Sequence, residues 1–99
     1  MTTELLALIA AYFACSDLAE ERHLTRDEVD TCNAVYQNVK LSFVPGVEPH
    51  DYVQLSARER HAVNQAGFRA FRAWQADNPD TVQHLERVAR GKEDLNRGG

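Results

Sequence analysis

The stretch Thr25-Arg26-Asp27-Glu28-Val29-Asp30-Thr31-Cys32-Asn33-Ala34-Val35-Tyr36-Gln37-Asn38-Val39-Lys40-Leu41-Ser42-Phe43 decides the fold class. Thr25 is an N-cap residue and Glu28 stands three positions on, completing a capping box, with Leu24 and Val29 at the flanking staple positions. Val29, Cys32, Val35, Tyr36, Val39 and Phe43 then recur at the spacing of one helix face. A helix is predicted from the Thr25 cap to about Phe43.

Working outward, the segment from about Thr3 to Arg22 is dominated by Ala, Leu and Glu and has no Gly or Pro, which predicts a first helix. Only His23 and Leu24 separate it from the Thr25 cap, so the two helices should fold back as an antiparallel hairpin. Cys15 and Cys32 lie at nearly equal distances from that turn. At 1.5 Å rise per residue they reach the same height and can face each other. The sequence has no Cys-x-x-Cys pair, and reduced thiols packing as small hydrophobes are expected, with a redox switch as the alternative.

On the other side, Leu41 to Leu55 reads as a connection. Pro45-Gly46 and Pro49 break helix, yet Phe43, Val44, Val47, Tyr52, Val53 and Leu55 are apolar enough to seal the end of a bundle. Such a length is unusual for a structureless link, which makes the Phe43–Leu55 loop a candidate contact surface. Ser56 with Glu59 forms a second capping box and opens a third long helix to about Ala76. Val63, Gly67, Ala70, Phe71 and Trp74 share one of its faces. Gly67 in mid-helix suggests close contact with a neighbour. Asn78-Pro79-Asp80 closes that helix and starts a fourth, with Val82, Leu85, Val88 and Ala89 as its apolar stripe and Gly91 as its stop. The expected fold is all-α: a small four-helix bundle over residues 1–91, with a long Pro-containing loop between helices 2 and 3. Residues 92–99 are expected to form a flexible tail.

Ninety-nine residues with 26% charged and 43% apolar side chains describe one ordinary globular domain. The apolar run Leu5–Cys15 is too short to span a bilayer, and Glu4 stands where a signal peptide needs a basic segment. A cytoplasmic protein without membrane contact is expected. The first half of helix one is apolar on nearly every side, as for a helix covered by a second chain. A homodimer is therefore expected, with Leu5, Leu8, Ile9, Tyr12 and Phe13 at its interface.

The net charge of −4 is divided unevenly. Residues 1–51 carry nine acids against three bases, or −6, whereas residues 52–99 carry eight bases against six acids, or +2. Asp17, Glu20, Glu21, Asp27, Glu28 and Asp30 cluster around the hairpin tip, where they could meet a basic groove on a protein partner. Small size and acidity resemble those of phage-encoded inhibitors of bacterial defence systems, anti-CRISPR proteins among them. A second candidate surface is the helix-three face bearing Arg58, Gln65, Arg69 and Arg72, which suits nucleic acid. Leu55-Ser56-Ala57-Arg58-Glu59-Arg60 resembles the opening of a LuxR-type helix-turn-helix domain. That resemblance implies DNA binding, but it covers six residues, and the expected turn and recognition helix do not follow.

Catalytic groups are not grouped by the sequence. His23, His50, His61 and His84 fall on different elements, without the His-x-x-x-His or Glu-x-x-His spacing of a helical metal site. The five glycines form no phosphate-binding loop. The expected function is therefore non-enzymatic, needing no cofactor or metal: a small acidic regulator or inhibitor that acts through protein–protein contact.

Overall fold

A computed structural model describes the backbone of residues 2–98 and the side chains of residues 2–91. It contains α1 (Thr3–Glu21), α2 (Arg26–Ser42), α3 (Pro49–Val53), α4 (Ala57–Asp77) and α5 (Pro79–Gly98). The fold is the expected all-α bundle. Three helix starts are fixed by side-chain caps: Thr2 Oγ1 accepts the Leu5 N–H, and the Thr25–Glu28 and Ser56–Glu59 boxes are both closed.

The long connection is not structureless. Pro45-Gly46 makes a turn in which Gly46 adopts φ 83°, a conformation that suits glycine. Pro49 then takes the first position of α3, where its missing N–H is harmless, and Asp51 Oδ2 accepts the Glu48 N–H. Tyr52 on α3 is held by a chain of side chains: Asn64 Nδ2 donates to its hydroxyl at 2.7 Å, and Gln37 Nε2 donates to Asn64 Oδ1 at 2.9 Å.

That chain of bonds also reveals the topology. Gln37 meets Asn64, Lys40 meets Gly67, and Phe43 meets Trp74, so α2 and α4 run in the same direction. Parallel helices need a crossover, which is the physical reason for the long loop. α5 leaves the end of α4 next to Phe43 and carries Arg90 back beside Asp17, Glu20 and Glu21, so it runs parallel to α1.

The sequence places the stop of the last helix at Gly91, but α5 continues to Gly98. Among the described glycines only Gly46 has a positive φ, so Gly91 does not form the left-handed cap that would end a helix. The mobility expected for residues 92–99 lies outside the described residues. Asn78 also differs in role: its side-chain Nδ2 donates to the Trp74 carbonyl at 2.9 Å, tying off the end of α4.

The core joins Ile9, Ala10 and Phe13 of α1 to Val39, Phe71, Leu85 and Ala89. Phe71 is its aromatic centre, with ring centroids of Phe43 at 5.5 Å, Tyr12 at 5.7 Å and Trp74 at 6.3 Å. Trp74 and Val63, expected inside, are only half-buried. Val29, placed in the staple and on the inner face of α2, is 41% exposed.

The expected close contact at Gly67 is present, because a Cβ there would lie 2.5 Å from the Lys40 carbonyl oxygen. Backbone, unlike a flexible side chain, cannot step aside. Gly67→Ala should therefore lower stability by about 1–3 kcal/mol, even though alanine gains about 1 kcal/mol over glycine in a helix. Phe71→Ala should cost about 3–5 kcal/mol, and Trp74→Ala distinctly less. Urea unfolding of the three variants checks the ranking.

Candidate functional site

The hairpin joins α1 to α2 through residues 22–25, and a bidentate pair closes this turn. Arg22 Nη1 donates to Glu28 Oε1 at 2.9 Å and Nη2 to Oε2 at 2.7 Å. Glu28 Oε1 also accepts the Thr25 N–H at 2.8 Å. The Arg22 hydrogen bonds first, and the Thr25 N–H second, hold the Glu28 carboxyl down at about 2. Glu28 was expected to face a partner. In the structure both of its oxygens accept hydrogen bonds within the chain.

One turn further from the tip, Cys15 and Cys32 are joined as a disulfide, with Cα atoms 5.8 Å apart. The equal heights inferred from the sequence bring them together, but the expectation of reduced thiols is overturned. The reason lies in the packing. The equal heights bring the Cα atoms within disulfide range, and both cysteines are only half-buried rather than packed into a deep apolar core.

The remaining acids divide between the two helices of the hairpin. Glu20 on α1 and Asp27 and Asp30 on α2 are exposed. Asp17, Glu20 and Glu21 line a shallow depression with Arg90 of α5, so this part of the acidic surface is partly offset by a base. Asp27 and Glu28 sit in the first turn of α2, where negative charge favours the helix dipole.

On α4, Arg58, Gln65, Arg69 and Arg72 are all exposed along one strip. Phe68 stands beside them with 44% of its surface in solvent. Sequence reasoning did not single out this aromatic residue, although at 100° per residue it falls at the margin of the same face. The Ser56–Glu59 box that opens α4 leads into an uninterrupted helix of 21 residues, so the LuxR-like opening is not followed by a helix-turn-helix.

The five residues assigned to a dimer interface separate. Ile9 and Phe13 are buried inside one chain, and Tyr12 stacks on Tyr36 with centroids 4.7 Å apart. The middle of α1 packs against α2 and α5. Leu5 and Leu8 instead line a groove of about 790 Å³ with Leu41, Val44, Val47 and Pro49. This groove brings the candidate loop against the start of α1.

The four histidines are exposed, and among the described residues no group of three His, Cys, Asp or Glu side chains is arranged to hold a metal. Among the described residues no helix is long and apolar enough to cross a membrane. No family model matches the chain, and no curated protein or solved structure matches it either.

The depressed Glu28 value has a definite pH signature. A carboxyl whose pKa falls from 4.5 to about 2 on folding stabilises the protein fully above pH 4.5. That contribution is lost as pH falls toward 2. Glu28→Gln keeps a capping side chain but removes the charge, so its stability should change less steeply with acid over this window than that of the wild type. Thermal unfolding at stepped pH from 5 to 2.5 measures the difference in slope.

Proposed function

We propose that the chain is a non-enzymatic protein-binding module, an acidic regulator or inhibitor that places the α1–α2 hairpin in a basic groove of a larger partner. The observation that carries this reading is the placement of Glu20, Asp27 and Asp30. They are exposed on both helices of a hairpin whose geometry is held by the Cys15–Cys32 disulfide and the Arg22–Glu28 pair. Fixed charges lose little freedom on binding, and a uniform sign steers encounter with a basic surface. The link to phage-encoded anti-defence proteins rests on small size and acidity alone. The expected homodimer now depends on Leu5 and Leu8 in the groove, since Ile9 and Phe13 lie inside the chain. A cytoplasmic location, expected from the short Leu5–Cys15 run and from Glu4, favours a disulfide that forms and breaks over one that persists.

The second reading, nucleic-acid binding, is favoured by one specific feature: exposed Phe68 beside Arg58, Arg69 and Arg72 offers a stacking surface within a basic strip.

One experiment separates the two. The combined change of Glu20, Asp27 and Asp30 to Lys should abolish retention of the host protein partner, and salt or heparin should displace the wild type from that partner. Unchanged retention by the triple variant removes the acidic reading. On the second reading, Arg58, Arg69 and Arg72 to Gln should flatten the salt dependence of oligonucleotide binding, by about 0.7 in slope for each lost phosphate contact with a single strand.

A further inference from the structure

The fully buried core of the hairpin ends at Phe13 on α1 and begins again only at Val39 on α2. Between them, residues 14–38 contain no fully buried side chain. Leu18, Leu24 and Val35 are half-buried there. The Arg22–Glu28 pair is exposed to solvent, where ion pairs contribute little. Ala14, Tyr36 and Gln37 are still tied to the core and to α4, so the covalent restraint on the outer part of the hairpin beyond them is the Cys15–Cys32 bond, which closes a loop over a sequence separation of 17. Both cysteines are half-buried, which leaves the bond within reach of a reductant.

We propose that this disulfide is a reversible clasp that controls whether the hairpin end is ordered, and with it the acidic surface. A dithiol reductant supplies the electrons. Its thiolate attacks one sulfur, the Cys15–Cys32 bond breaks, and a mixed disulfide forms with release of the other cysteine. The second thiol of the reductant then displaces the remaining cysteine. The products are two protein thiols and the cyclic disulfide of the reductant, so two electrons and two protons have been transferred. Reduction returns loop entropy to the hairpin end while leaving the core around Ile9, Val39, Phe71 and Leu85 intact.

The effect on binding rests on the acidic-surface reading; the effect on order does not. Amide hydrogen exchange of the full chain, with and without dithiothreitol, tests the clasp. Exchange at residues 16–21 and 30–35 should speed up by roughly 10- to 100-fold on reduction. Exchange at residues 9–13, 68–73 and 85–89 should stay the same. Cys15→Ser with Cys32→Ser should match the reduced wild type whether or not reductant is present. Unchanged protection at the hairpin end overturns the proposal, as does a uniform rise across all segments. Partner binding measured in parallel keeps the two ideas apart. Local loosening with unimpaired binding leaves the clasp standing and removes the acidic surface as the contact.

Discussion

The contact between Gly67 and the Lys40 backbone sets the terms for the rest of the fold. Only a residue without a side chain lets α4 approach α2 so closely, and this approach brings Phe71 into the space between Ile9 and Val39. Because α4 lies parallel to α2, the chain must travel back along the bundle before α4 begins. The Pro45-Gly46 turn, α3 and the Gln37–Asn64–Tyr52 hydrogen bonds are the means of that return. Lys40 contributes on its other side as well, holding its ammonium 4.4 Å from the centre of the Tyr36 ring. Burial of Lys40 holds its pKa below the ordinary range, while burial raises that of Tyr36.

Stabilisation is divided unevenly along the hairpin. At one end, the rings of Tyr12, Phe43 and Trp74 surround Phe71 beside Ile9 and Val39, and burial of apolar surface dominates. Toward the tip the helices carry mostly charged and small side chains. There a covalent bond, one capping box and one bidentate pair take the place of a core. The part of the molecule richest in exposed carboxylates is thus also the part least supported by packing. A surface that must present charge cannot at the same time bury apolar residues on the same turns.

What the sequence made legible was local. The caps at Thr25 and Ser56 depend on residues three apart, and both helices start where those residues place them. Gly67 and Phe71 follow from one helical period. The crossover was not legible, because no local signal distinguishes parallel from antiparallel helices. Pro49 was read as a breaker, whereas with Asp51 two positions on it starts a short helix. Gly91 was read as a stop, although glycine ends a helix only in the left-handed conformation, which a sequence does not display. At the candidate site, Glu28 carried a warning: a glutamate that completes a capping box already has a partner. Ile9 and Phe13 carried none, since a helix that is apolar all round looks the same whether its own chain or another covers it.

The pairing of α1 with α5 has a consequence for biosynthesis. Among the described residues these helices stand at opposite ends of the element order, and they lie side by side. A ribosome makes Leu5, Leu6, Leu8, Ile9, Tyr12 and Phe13 of α1 well before the residues that cover them from α5. Until then α2 and the Phe71 side of α4 shield it in part, and the remaining flank presents an apolar strip to the surroundings. Such long-range contacts slow folding and leave incomplete chains prone to aggregation. A nascent copy of this protein therefore keeps that strip exposed until Leu85 has been made, and a chain cut short before Leu85 would leave it uncovered.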